Sequence, residues 1–111
     1  MAGVLENVTD ENYDELIQSP AAMVAYGIAS CEPCAEYDPI LEQAASRFAN
    51  LRIGKAKMHI PGRCREIKKR HNFETYPTTH LFSRGELLVS REGKIEEAEL
   101  EALIKEYFPG C

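Results

Sequence analysis

Apolar residues run along this chain in short continuous stretches and in helical stripes, and the breaks between them fall at Pro, Gly and Ser. Val4 to Val8 reads as a short strand. Thr9 or Asp10 then caps a helix with Tyr13, Leu16 and Ile17 at i, i+3 and i+4, and Ser19-Pro20 ends it. The run from Ala22 to Ile28 is apolar throughout, the pattern of a strand buried on both faces. Tyr37, Ile40, Leu41, Ala44, Ala45 and Phe48 form one stripe at helical spacing. Pro39 lies inside that stripe, where its missing N–H and its crowding of the Ala35 carbonyl predict a kink. Leu51 to Met58 reads as a third strand with imperfect alternation, and Pro61-Gly62 breaks the chain. Residues 63–72 read as a short helix with Cys64, Ile67 and His71 on one face. Thr79 to Phe82 and Leu87 to Arg91 are strands joined by a hairpin turn at Arg84-Gly85-Glu86. After Gly93 comes the clearest helix, carrying Leu100, Leu103, Ile104, Tyr107 and Phe108 on one face. Glu96, Glu97 and Glu99 fill its first turn, where the helix dipole favours acids, and Pro109-Gly110 stops it.

The order β-α-β-α-β-α-β-β-α requires parallel pairing across helical crossovers in the first half and an antiparallel hairpin in the second. The predicted fold is α/β, a central five-stranded mixed sheet flanked by four helices, in a single domain spanning residues 1–111. A chain of 111 residues buries a core without staples of disulfide or metal. Its 44% hydrophobic and 28% charged residues suit a globular domain, and its net charge of −5 argues against nucleic acid as a partner. No apolar run reaches the length of a membrane span, and the N-terminus lacks a basic stretch followed by an apolar one. The cytoplasm is therefore the expected location, where a close cysteine pair is catalytic or metal-binding rather than structural.

That pair is Cys31 and Cys34, in Ala29-Ser30-Cys31-Glu32-Pro33-Cys34, between the buried strand and the long helix. A helix N-terminus offers free N–H groups and partial positive charge, both of which favour a thiolate. Ser30 suits the N-cap, and Glu32 and Pro33 suit the first turn. Cys31 is the expected nucleophile. Cys34, one turn inside, is close enough to form a disulfide with it and to resolve a mixed disulfide. The Glu32 charge opposes a neighbouring thiolate, but an exposed position leaves that effect small. Two other readings stand beside thiol–disulfide exchange. In one the cysteines exchange slowly on a peptide-binding module. In the other a dimer uses the same cysteines to carry a metal or an iron–sulfur cluster, with Cys64 or His59 as further ligands only if folding brings them near. Two cysteines alone do not close a tetrahedral site.

Over nearly its whole length the chain resembles the thioredoxin family. Cys31-Glu32-Pro33-Cys34 is similar to the family's Trp-Cys-Gly-Pro-Cys, with Ser30 in place of tryptophan and Glu32 in place of glycine. Pro39 matches the family's kink proline, Tyr76-Pro77-Thr78 its Ile-cis-Pro-Thr loop, Gly85 its hairpin glycine and Gly93 the glycine lining its substrate groove. Lys55 falls where the family keeps a buried lysine, whereas the buried aspartate that helps deprotonate the second cysteine is replaced by Ala25. The resemblance implies a protein-disulfide oxidoreductase with no cofactor beyond the Cys31–Cys34 disulfide, acting on protein disulfides and recharged by a reductase. It implies a substrate surface of Ser30, Glu32, Pro33, Tyr76, Pro77 and Gly93, with Pro77 cis. No membrane partner is expected, and the protein is expected to be a monomer. Loss of the tryptophan and the aspartate implies lowered activity. With alanine at position 25, proton transfer at Cys34 falls to water or Lys55, whose amine is expected to snorkel towards solvent.

The remaining polar features have plain readings. Arg63, Arg65, Lys68, Lys69 and Arg70, set against Glu66, make a solvated helix face rather than a docking patch. Cys64 is expected to be half-buried, His71 to pack, and Cys111 to lie in a mobile tail.

Overall fold

The structure, a computed structural model, describes residues 3–111. Its elements follow the expected order: β1 (Leu5–Val8), α1 (Tyr13–Ile17), β2 (Ala22–Gly27), α2 (Glu32–Arg47), β3 (Arg52–Lys57), α3 (Arg65–Arg70), β4 (Thr78–Ser83), β5 (Glu86–Glu92) and α4 (Glu97–Tyr107). The sheet order is β1-β3-β2-β4-β5, with β3 parallel to both β1 and β2, and β4 antiparallel to β2 and β5.

Strand β2 lies at the centre of the sheet, and all six of its residues are buried. Its side chains alternate between two cores. Met23 and Ala25 face α2 and α4, among Tyr37, Leu41 and Ile104. Ala22, Val24 and Tyr26 face α1 and α3, among Tyr13, Leu16 and Ile67. Burial on both faces explains why the strand reads as a continuous apolar run rather than an alternating one. Each large apolar side chain so buried contributes roughly 1.5–3 kcal/mol.

Two glycines are needed where they stand. A Cβ on Gly54 of β3 would run into Val8 Cγ2, so β1 and α1 pack closely there only against a bare backbone. Arg84 and Gly85 both have positive φ, 50° and 87°, the two-residue turn that matches the twist of a hairpin. Gly85 also donates its N–H to the Ile17 carbonyl at 2.8 Å, tying the hairpin to the end of α1.

Several ends differ from the pattern-based reading. Strand β1 begins at Leu5, β2 stops at Gly27, β3 spans Arg52–Lys57, and β4 and β5 are each longer than read. The helix expected over 63–72 shrinks to Arg65–Arg70 because Cys64 and His71, at φ −129° and −135°, have left the helical region. Neither Thr9 nor Asp10 caps α1. Asn12 occupies the cap position, and its side chain bonds Thr9 N–H and the Asn7 carbonyl instead of the helix. The Asp10 carboxylate accepts the N–H groups of Glu66 and Ile67 at 3.1 Å each, so it caps α3, a helix far along the chain. Cys64 is 2% exposed, deeper than expected, and Cys111 packs on the α2–α4 core with its N–H on the Phe108 carbonyl. The basic side chains of α3 are exposed as read, with Arg70 paired to Asp14 and Lys69 to Glu66.

Candidate active site

The chain leaves β2 at Gly27, where a Cβ would sit 3.4 Å from Cys34 Sγ. Ser30 then takes a left-handed turn at φ 57°, and Cys31 returns to extended backbone at φ −120°, ψ 104°. Extended geometry is what an N-cap requires, so Cys31, not Ser30, is the cap of α2. Its Sγ accepts the Cys34 N–H at 3.2 Å, and its carbonyl accepts the Ala35 N–H at 3.1 Å. A sulfur in that position lies against one of the orphan donors of the helix and at the positive end of its dipole. Pro33 falls in the first turn, where a missing N–H leaves nothing unpaired.

Cys31 and Cys34 are joined by a disulfide with a Cα–Cα distance of 5.2 Å. Their exposure is unequal. Cys31 is partly open to solvent, whereas Cys34 is 5% exposed. The Tyr76–Pro77 peptide bond is cis, and the Tyr76 carbonyl oxygen lies 3.7 Å from Cys31 Sγ. Pro77 is buried, and its carbonyl accepts the Gly93 N–H at 2.7 Å. Cys31, Cys34, Tyr76, Pro77 and Gly93 thus gather at one end of the sheet, with exposed Ser30, Glu32 and Pro33 beside them.

Behind Cys34 the arrangement departs from the sequence-based expectation. The Lys55 amine does not snorkel free. It meets both carboxylate oxygens of Asp38 at 2.7 and 2.8 Å, with side-chain exposures of 22% for Lys55 and 36% for Asp38. Asp38 escaped notice because it sits on α2, whereas Lys55 is a β3 residue. The signal was its spacing, four residues after Cys34 and therefore on the same side of the helix. Ala25 lies in register between Lys55 of β3 and Thr79 of β4. Over it, the Tyr37 hydroxyl pairs with Thr79 Oγ1 at 2.8 Å, and burial pushes the Tyr37 pKa up to about 12.

The thioredoxin family model matches residues 4–106. The chain belongs to the thioredoxin family. Thioredoxin from Acidithiobacillus ferridurans is 28% identical over 106 residues, covering 94% of this chain and 96% of the relative. Thioredoxin from Buchnera aphidicola is 24% identical over 102 residues, covering 89% and 92%. Among solved structures, Chlamydomonas reinhardtii thioredoxin f2 superposes with a TM-score of 0.83 at 18% identity, covering 96% of this chain and 99% of that one. Spinach chloroplast thioredoxin f gives 0.84 at 14% identity, covering 96% and 95%. At such identities these structures share the fold.

As a thioredoxin-family protein the chain is an oxidoreductase, and the Cys31–Cys34 disulfide is its redox centre. Among the described residues no three His, Cys, Asp or Glu side chains gather as a metal site, and no helix is long and apolar enough to cross a membrane.

Proposed function

We propose that this protein exchanges thiols with protein disulfides, with Cys31 as nucleophile and Cys34 as resolving cysteine. The reduced Cys31 thiolate attacks a substrate disulfide, expelling one substrate thiolate and leaving Cys31 joined to the other sulfur. Cys34 then attacks Cys31, expelling the second substrate thiolate and forming the internal disulfide. The substrate gains two electrons and the pair loses two, and an external reductase restores the dithiol. A reducing compartment such as the cytoplasm fits that cycle.

One observation carries the assignment: Cys31 Sγ is the open, capping sulfur at the α2 N-terminus and receives the Cys34 N–H, while Cys34 is buried. A helix terminus favours a thiolate beside it, and a buried site disfavours one. The Tyr76 backbone, just ahead of the first paired residue of β4, offers an edge on which an extended substrate segment adds as a strand.

The test is trapping. A Cys34→Ser protein accumulates mixed disulfides through Cys31, and the wild type reduces insulin with dithiothreitol as donor. A Cys34→Ser protein that captures nothing, together with a wild type that leaves insulin oxidised, overturns the exchange reading in favour of a peptide-binding module.

A further inference from the structure

Once Cys31 holds a substrate, the Cys34 thiol must lose its proton before it can attack. Its surroundings are largely apolar: Cys34 is 5% exposed and lies against Gly27, with Ala25, Tyr37 and Leu41 lining the same hollow. A buried thiol resists ionisation. Two ionisable side chains, Asp38 and Lys55, line both that hollow and a cleft of about 350 Å³ that opens beside it towards solvent. Lys57 and His59, both exposed, stand on the outer wall of the cleft. The Tyr37 hydroxyl is held by Thr79, and burial keeps it protonated through the neutral range.

We propose that Asp38 is the proton acceptor for Cys34, reached directly or through one water in the cleft, and that Lys55 holds its carboxylate in place. Three observations support this. Asp38 stands four residues after Cys34 on α2, which puts both side chains on one face about one turn apart. Both oxygens of Asp38 meet the Lys55 amine, charge-assisted contacts that fix where the carboxylate stands. The cleft carries the polar side chains of Asp38, Lys55, Lys57 and His59 on its wall and is large enough to hold the water that a relay requires. A carboxylate on the helix would thus serve a sheet position occupied by an alanine.

The step balances. The Cys34 S–H proton passes to an Asp38 oxygen, the Cys34 thiolate attacks Cys31 Sγ, the Cys31–substrate S–S bond breaks and the substrate leaves as thiolate. Asp38 then returns its proton to solvent. The proposal rests on the dithiol reading above, with Cys31 attacking and Cys34 resolving.

The experiment is stopped-flow mixing of the reduced protein with a small aromatic disulfide whose thiolate is coloured. The first coloured equivalent reports attack by Cys31, and the second reports resolution by Cys34. In the wild type the second phase should vary by much less than tenfold per pH unit through the neutral range. In Asp38→Asn it should be slower by about 10²-fold at neutral pH, the lower end of general-base effects, and climb tenfold per pH unit towards the wild type. Asp38→Glu, which keeps the carboxylate, should keep the shallow profile. Three results overturn the proposal: an Asp38→Asn profile equal to the wild type, one slowed by the same factor at every pH, or a wild-type second phase that climbs tenfold per unit. The last needs no variant, so a misfolded Asp38→Asn leaves the proposal testable. A wild type lacking either phase overturns the dithiol reading instead.

Discussion

Cys34 donates its backbone N–H to the sulfur of Cys31 at 3.2 Å, three residues back at the mouth of the same helix. In the reduced protein that donor and the α2 dipole favour charge on Cys31, while the 5% exposure of Cys34 disfavours charge there. Iodoacetamide should therefore alkylate Cys31 faster than Cys34 at neutral pH, by about tenfold or more. Peptide mapping of partially alkylated, fully reduced protein gives the ratio, and equal labelling would refute the asymmetry.

The α1–α3 side of the sheet holds a polar chain within its core. His71 Nε2 lies 3.0 Å from the Tyr13 hydroxyl, which lies 2.7 Å from that of Tyr26, which lies 3.0 Å from His80 Nδ1. Burial, and then the nearby His71, bring the His80 pKa down to about 4, so the folded state holds a neutral ring. An unfolded histidine titrates near 6.5. The resulting stability is complete above about 6.5 and is lost as pH falls from there to about 4, at full development roughly 3 kcal/mol. Urea unfolding across this range should show that decline, and His80→Phe should flatten it.

Gly54 tests the packing that sets the sheet. A methyl there meets Val8 Cγ2 and, at 3.2 Å, Leu16 Cδ1, so β1 or α1 must shift. Gly54→Ala should cost roughly 1–3 kcal/mol, the usual range for overpacking, and lower the melting temperature. The cysteines sit at the start of α2, which packs on the opposite face of the sheet from Val8 and Leu16, so the two-phase disulfide reaction of the molecules that remain folded should persist. An unchanged melting temperature would mean that the strands adapt at no cost.

Ala25→Asp puts a second carboxylate beside Lys55 in a position 2% exposed, where Asp38 already holds the amine. One of the two acids is left without its cation, and a buried unpaired charge costs about 3–5 kcal/mol. Burial raises the pKa of the new carboxyl, so the variant should lie nearest the wild type in acid and lose ground as pH rises. Melting curves at acidic and neutral pH measure this. A variant as stable as the wild type at neutral pH would show that Lys55 serves both acids.

Much of this protein follows from local pattern. Each helix and strand was legible because its apolar period comes from residues a few positions apart, and the continuous run of β2 announced a strand covered on both faces. The cysteine pair was equally legible, since its two members lie within one turn of one helix. Tyr76-Pro77 and Gly93 came from resemblance, and the fold sets Tyr76 against Cys31 and Gly93 against Pro77.

What the chain order could not disclose are the partners chosen across elements. Asp38 and Lys55 are 17 residues apart, Asp10 and Ile67 57, and Tyr26 and His80 54. Ser30 looked the better cap by residue type. The backbone decided for Cys31, because a left-handed turn out of β2 spends Ser30 on changing direction. Spacing along the chain sets what a residue can reach within its own helix or strand. The sheet order and the closing of α2 over β3 decide which side chains from different elements share a desolvated hollow, and in this protein that decision places the charged pair behind Cys34.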